Sequence, residues 1–163
     1  MHIGIVSDTH NNLKNLKKII DIFNDEKVDL VIHTGDITKA STLREFSKLN
    51  CKMKGVFGNS DRLEEGLQDA CEELNFDFVE PPFIIKLFNR DIAIFHEPDS
   101  IEEFIVENQN FDIILHGHTH RYREEVKNKT IIFNPGESAG FLEGKNAIGV
   151  IDLNDLAIRR IFF

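Results

Sequence analysis

Residues 1–23 read MHIGIVSDTHNNLKNLKKIIDIF. Ile3–Val6 is a short run of the length and composition of a buried strand. Leu13, Leu16, Ile19, Ile20 and Phe23 then recur at helical spacing, with lysines and acids between them. The two patterns are separated only by the polar stretch Ser7-Asp8-Thr9-His10. A strand, a polar turn and an amphipathic helix open a crossover unit, and the unit recurs. Leu30–His33 is a second strand, and Leu43, Phe46 and Leu49 form the face of a short helix. Met53–Phe57 is a third strand, followed by helical spacing at Leu63, Leu67, Ala70, Cys71 and Leu74. Strand–helix alternation of this kind predicts parallel, right-handed crossovers.

The second half is richer in strands. Phe83–Leu87 and Ile92–Phe95 flank the turn residues Asn89–Asp91. Ile101, Phe104 and Ile105 predict a helix, with Asp99 and Glu102 in the relation of a capping box. Ile113–Leu115 reads as a strand. Arg121–Val126 and Thr130–Phe133 flank Asn128-Lys129 as a hairpin, and Ala147–Ile151 and Ala157–Ile161 flank Asn154-Asp155 in the same way. The expectation is a single α/β domain over residues 1–163, parallel in its first half and antiparallel towards its end.

Composition narrows the function. Acidic residues outnumber basic ones 28 to 19, a net charge of −9. That balance argues against a surface that coats nucleic acid or an anionic membrane. It leaves room for a phosphate-bearing substrate, because a bound metal reverses the sign of a site locally. No apolar run approaches the roughly 18–20 residues of a membrane span. The N-terminus lacks a cationic n-region, so no signal peptide is expected. Cys51 and Cys71 make no disulfide framework, which points to the cytoplasm, with both as buried small hydrophobes. The apolar pair Phe162-Phe163 is expected to pack onto the core or into a homo-oligomer interface.

Three of the seven histidines fall within residues 116–120. Placed on the strand map, they belong to a wider pattern. Asp8 and His10 follow the first strand, Gly35-Asp36 the second and Gly58-Asn59 the third. His96 ends the run Ile92–Phe95, and Gly117-His118-Thr119-His120 follows Ile113–Leu115. In open α/β sheets, ligands bind at the C-terminal ends of the strands. Each fragment alone has a plainer reading: Ser7-Asp8-Thr9 as a helix cap, Gly35-Asp36 as a turn, His96 as a satisfied core histidine. Repetition at five strand ends favours one shared site. Asp8, Asp36, His10, His96, His118, His120 and Asn59 offer two carboxylates, four imidazoles and one amide oxygen. A catalytic zinc usually takes three protein ligands, so the set suits two ions sharing a bridge. A mixed nitrogen and oxygen set without thiolate suits manganese, nickel, iron, cobalt or zinc. Such a pair activates water and clamps phosphoryl oxygens during in-line displacement.

This ordered set resembles the calcineurin-like metallophosphoesterase superfamily. The likeness rests on Asp8-Thr9-His10, Gly35-Asp36, Gly58-Asn59, His96 and Gly117-His118-Thr119-His120, and runs from residue 3 to about residue 140. Asn134-Pro135-Gly136-Glu137-Ser138 and the small size are similar to the compact phosphodiesterase subgroup, which also includes a retromer scaffold subunit. The resemblance implies a four-layer αββα sandwich with mixed sheets and a dimetal site at the C-terminal strand ends. It implies that Asp8, His10, Asp36 and His120 hold one metal, and that Asp36, Asn59, His96 and His118 hold the other, with Asp36 bridging. Asp36, Asn59 and His96 would be the catalytic group, and a metal-bridging hydroxide the nucleophile. The expected substrates are small or activated phosphodiesters and the expected ions two divalent transition metals, manganese first. Long nucleic acid is not expected at this net charge. The rival readings are a protein-interaction scaffold of the retromer-subunit type and a phosphomonoesterase.

Three positions depart from the family pattern. Ser60 stands where many members have a histidine that donates to the phosphate or leaving group, and a hydroxyl is a poor general acid at neutral pH. Lys39 stands where larger members often have Asp or Arg. Glu97 follows His96 where glycine is usual. Of the remaining polar residues, His33 is expected to be a buried, satisfied histidine and His116 to be structural or at the rim. Asp61 with Glu64 reads as a capping box for a helix starting at Arg62. Arg121 and Arg123 are expected in solvent, and Glu137 and Ser138 in a Pro-Gly turn that lines the site.

Overall fold

The computed structural model of the chain describes residues 1–108, 110–142 and 144–163. From the N-terminus the elements are β1 (His2–Val6), α1 (Leu13–Asp25), β2 (Leu30–His33), α2 (Ala40–Glu45), β3 (Lys52–Val56), α3 (Leu67–Leu74), β4 (Asp77–Val79), β5 (Phe83–Leu87), β6 (Arg90–Ile94), α4 (Ile101–Glu107), β7 (Ile113–Leu115), β8 (Arg123–Lys127), β9 (Thr130–Asn134), β10 (Ala147–Asp152) and β11 (Ile158–Phe162). They form a six-stranded sheet, β11-β10-β1-β2-β3-β4, and a five-stranded sheet, β5-β6-β7-β9-β8.

Side-chain alternation sets the layers. Ile3 and Ile5 of β1 and Leu30 and Ile32 of β2 face one way. They meet Ile92 and Ile94 of β6, Ile113 and Leu115 of β7 and Phe133 of β9 in a core between the two sheets. Val6 and Val31 face the other way and pack against Leu16, Ile19 and Phe23 of α1, Leu43 of α2 and Ala70 and Cys71 of α3. On the far face of the second sheet, Ala93, Ile114 and Ile132 pack on Ile101 and Ile105 of α4. The three clusters therefore separate four layers, the αββα sandwich. On the helix side of the first sheet, α1 starts at Asn12, whose side chain accepts from Asn15 N–H, and its buried stripe matches the spacing seen in sequence except for exposed Leu13.

The pairing differs from the sequence expectation in one respect that matters for function. β1, β2, β3 and β4 are parallel, as expected. The second sheet, however, is parallel through β6, β7 and β9, and antiparallel only at β5 and β8. The hairpin β8–β9 is present, but β8 lies at the sheet edge, so β9 returns beside β7 in the same direction. Each half thus has a block of three or more parallel strands. The short strand β4 has no counterpart in the sequence reading.

Two caps are corrected. Asp99 does not cap α4: Ser100 occupies the N-cap, without a side-chain hydrogen bond. Helix α3 begins at Leu67 after Gly66 in a left-handed conformation, so Asp61 caps no helix at Arg62, and Leu63 is exposed. At the far end, Phe163 packs against the helical-side cluster while Phe162 points outward beneath the Arg160 guanidinium, 4.4 Å from its ring centroid. Cys71 is buried and Cys51 half-buried, and both are free.

Candidate metal centre

The parallel strands deliver all seven candidate ligands to one place. Asp8 and His10 follow β1, Asp36 follows β2, Asn59 follows β3, His96 follows β6, and His118 and His120 follow β7. Five of them, Asp8, His10, Asp36, His118 and His120, have left-handed backbone, with φ between 39° and 65°. Non-glycine residues adopt this region uncommonly, Asp and His more readily than most, at a cost of order 1–3 kcal/mol each. The surrounding sheets hold them there. Asp8 N–H bonds to Gly35 O and His10 N–H to Asp36 O, so the first two loops brace each other. Gly58 and Gly117 leave room for the acids: a Cβ on Gly58 would overlap Asp36 Oδ1, and one on Gly117 would overlap Ser7 Oγ.

The ligand atoms fall into two overlapping groups. Carboxylate and imidazole atoms of Asp8, His10 and His120 lie within 4.8 Å of one another, as do those of Asp8, Asp36 and His96. His10 Nε2 is 3.4 Å from Asp36 Oδ2 and has no hydrogen-bond partner among the described residues. His120 Nε2 is 3.7 Å from Asp8 Oδ1. Asn59 Oδ1 sits 2.9 Å from His96 Nε2 and 3.0 Å from His118 Nδ1. The overlap differs from the expected sharing in one way: Asp8 belongs to both groups, so both aspartates lie between the two halves of the site.

His96 shows what this arrangement suits. Its Nδ1 is 2.8 Å from the carbonyl oxygen of Thr34, which only accepts, so Nδ1 carries the proton. Burial lowers the pKa of the ring, which is therefore neutral near pH 7. Its Nε2 then presents a lone pair towards Asn59 Oδ1 and, at 3.4 Å, towards Asp36 Oδ1. Lone pairs of nitrogen, amide oxygen and carboxylate converge without a proton to share, a donor set that fits a divalent cation. Asp8 is fully buried. Burial, reinforced by the Asp36 and Asp61 carboxylates, pushes it up to about 7 against the pull of the Ser7 hydroxyl and His118 N–H.

Residues read as bystanders support the ligands. Asp61 is buried and accepts from three backbone N–H groups: Asp36 and Gly58, both at 2.8 Å, and Thr38 at 2.7 Å. It joins the loops after β2 and β3, fixing Asp36 against Asn59. Ser60 does not face outward as a proton donor. Its N–H and hydroxyl both donate to Asp36, at 2.9 and 3.0 Å. His33 is buried and satisfied: Nδ1 accepts from Gly35 N–H at 3.1 Å, leaving Nε2–H for Thr9 Oγ1 at 3.2 Å. Burial pushes His33 down to about 3, so it is neutral. His116 is also buried and pushed down to about 4 by burial. Lys39 is exposed, and Glu97 is half-buried. Arg123 pairs with Glu102 and Glu125.

The loop after β9 adds two residues, Glu137, which was expected to line the site, and Phe141, which the sequence reading missed. Glu137 is buried, with Oε2 3.8 Å from His120 Nδ1. Phe141 is exposed but stacks on His120, with centroids 5.3 Å apart and planes at 20°, and it also touches His10. Phe141 lies in no motif of the sequence, and nothing local marks it as a neighbour of His10 and His120.

Comparison with known proteins agrees with this geometry. The family model described as the calcineurin-like phosphoesterase superfamily domain matches residues 1–156. A phosphodiesterase of Methanocaldococcus jannaschii is 35% identical over 166 aligned positions, covering 99% of this chain and 98% of that protein. The solved structure of an archaeal phosphodiesterase superposes with a TM-score of 0.92 at 32% identity, covering 100% of both chains. The zinc complex of Vps29 from Entamoeba histolytica shares the fold, with a TM-score of 0.71 at 16% identity over 99% of each chain.

Proposed function

The chain belongs to the calcineurin-like phosphoesterase superfamily and is a phosphoric ester hydrolase, and on that premise we propose that it is a dimetal phosphodiesterase acting on small or activated diesters. Asp8, His10, Asp36 and His120 would hold one ion, and Asp36, Asn59, His96 and His118 the other. The two groups found in the structure add Asp8 as a second shared carboxylate. The observation that carries the reading is the neutral His96, whose Nε2 lone pair faces Asn59 Oδ1 and Asp36 Oδ1. When bound, the ions would supply Lewis acidity towards phosphoryl oxygens and a water of lowered pKa. Manganese is the first choice, with nickel, iron, cobalt and zinc suited to the same donors.

The chain's own groups do the positioning. Ser60 and Asp61 hold Asp36 and its loop, and the Thr34 carbonyl fixes the tautomer of His96. The Ser60 hydroxyl is committed to Asp36, so no side-chain acid stands at that position for a leaving group. That favours esters whose leaving group departs without protonation. Phe141 beside His10 and His120 gives an aryl substituent a ring to lie against. A net charge of −9 disfavours long polyanions as substrates. Two unpaired cysteines suit a cytoplasmic setting.

The test is hydrolysis of bis(4-nitrophenyl) phosphate against 4-nitrophenyl phosphate by manganese-loaded protein. Diester turnover well above monoester turnover, lost in Asp36→Asn, is expected. Equal hydrolysis by chelator-stripped protein would refute the metal role, and monoester preference would identify a phosphomonoesterase. Tight metal binding without turnover on any phosphoester would favour the scaffold reading, to which the committed Ser60 hydroxyl lends support.

A further inference from the structure

Glu137 presents a buried carboxylate that the hydrolase reading leaves without a task. It is 1% exposed. Its Oε1 accepts from Leu142 N–H at 2.7 Å, but its Oε2 has no hydrogen-bond partner among the described residues. An unmatched buried carboxylate oxygen is costly, and such an atom in a native fold calls for a reason. The atom facing it, at 3.8 Å, is His120 Nδ1, which is itself buried and has no hydrogen-bond partner among the described residues. The carboxylate is not there by chance of a loose loop. Glu137 O accepts from Ala147 N–H, while Asn15 and Asn12 donate to the carbonyls of Ser138 and Ala139 at 2.9 and 2.7 Å.

We propose that Glu137 is a positioning residue that keeps the proton of His120 on Nδ1 and so leaves the Nε2 lone pair free for a metal ion. The inference rests on the metal reading of the site. A neutral imidazole has one ring proton and two carboxylates compete for it. Asp8 Oδ1 stands 3.7 Å from Nε2 and would draw the proton to the wrong nitrogen. Asp8, however, is already supplied with donors by the Ser7 hydroxyl and by His118 N–H, at 3.1 Å to both oxygens. Glu137 Oε2 has none, so a proton on Nδ1 satisfies two orphaned atoms at once, and a small rotation of either side chain closes the contact. Metal-ligating histidines ordinarily donate their second ring N–H in this way.

The chemistry of glutamine makes the test sharp. Glu137 has two acceptor oxygens and gives one to Leu142 and one to His120. Glu137→Gln has a single oxygen. With that oxygen held by Leu142 N–H, the amide NH2 faces Nδ1 and favours the tautomer that cannot bind metal. Glu137→Ala loses the Leu142 bond but imposes no wrong donor. The experiment is calorimetric titration of stripped full-length wild type, Glu137→Gln and Glu137→Ala with Mn²⁺, alongside ring-nitrogen NMR of His120 in the metal-free proteins. Glu137→Gln should weaken Mn²⁺ binding about 10- to 100-fold, and by more than Glu137→Ala. His120 should move from Nδ1–H in the wild type to Nε2–H in Glu137→Gln. A purely structural role reverses the order of the two variants. Wild-type affinity in Glu137→Gln, or a wild-type His120 protonated on Nε2, would overturn the proposal. Wild-type protein that binds no Mn²⁺ would instead sink the metal reading, and the NMR measurement would still decide the tautomer.

Discussion

Asp61 offers the cleanest test of how the site is held together, because two explanations of it predict opposite results for one substitution. As a helix cap, Asp61 would be replaceable by asparagine at no cost, and alanine would cost about 1 kcal/mol. The structure gives it different work. Oδ2 accepts from Asp36 N–H and Gly58 N–H, and Oδ1 from Thr38 N–H, at 2.7–2.8 Å, with the residue only 3% exposed. Asp61→Ala leaves three buried N–H groups without partners, each costing about 1–3 kcal/mol. One effect opposes this. Burial, aided by the nearby Asp36 carboxylate, raises the pKa of Asp61, so removing the charge relieves some desolvation and repulsion. The three lost bonds outweigh that relief, and a net loss of about 3–5 kcal/mol is expected. Asp61→Asn keeps the pair on one oxygen but turns an NH2 towards Thr38 N–H, for about 1–3 kcal/mol. Urea unfolding of stripped protein, with unchanged slopes, reads both values. Asparagine as stable as wild type, or alanine within about 1 kcal/mol, would show that the three bonds do not hold the loops.

Two further expectations concern the acids and their packing. Asp8 rises from 3.8 to about 7 on folding, so between those values the folded state holds a proton that the unfolded state has lost, and stability falls as pH rises, by about 1.4 kcal/mol per unit. Chelated Asp8→Asn should therefore gain on chelated wild type steadily from pH 3.8 to about 7, in denaturation series across that range, and a constant gap would refute the shift. His33, lowered to about 3, contributes the opposite slope up to pH 6.5, but it is common to both proteins and cancels. Gly117→Ala places a methyl against Ser7 Oγ and 2.9 Å from Asp8 Oδ2 and Thr34 Oγ1. It should cost about 1–3 kcal/mol and weaken Mn²⁺ binding; an unchanged melting midpoint and affinity would show that the close approach is absent.

What the sequence revealed and what it concealed divide along the range of the interactions. The convergence of the candidate ligands was legible because each follows a strand, and strand ends are marked by local periodicity and glycine. The layers were legible because Ile3, Ile5, Leu30 and Ile32 alternate with residues of the opposite face. The direction of β9 was not: its hairpin partner β8 gives a strong local antiparallel signal, while its parallel neighbour β7 is decided by which strand lies at the edge. β4 is only three residues long and has no pattern to detect. Asp61 illustrates a subtler failure. Asp followed three residues later by Glu is the local signature of a cap, but its bonds to Asp36 and Thr38 span 25 and 23 residues. Ser60 directly follows Asn59, but its hydroxyl turns towards Asp36, and no sequence pattern encodes a rotamer.

The four buried acids explain why these supports are needed. Asp8, Asp36, Asp61 and Glu137 are each 3% exposed or less in a chain of net charge −9. Among the described residues their ion-pair contacts are with His10, His96 and His120, not with Lys or Arg. No permanent cation pairs with them there, and the cost of leaving buried charges unpaired is several kcal/mol each. Asp61 meets part of this cost by accepting from three backbone N–H groups. Asp36 takes the N–H and hydroxyl of Ser60, and Asp8 has the Ser7 hydroxyl and His118 N–H, yet burial still carries Asp8 up to about 7. Asp8 and Asp36, the two acids shared between the halves of the site, thus rely on two donors apiece, and Glu137 on Leu142 N–H alone among the described residues. A divalent cation held by Asp8 and Asp36 would remove a cost that the fold itself has not removed, and would couple metal affinity to folding stability. The same logic separates the roles of the four acids: Asp8 and Asp36 retain lone pairs for a cation, whereas Asp61 spends its own on the backbone and Glu137 directs one to Leu142 and the other to His120.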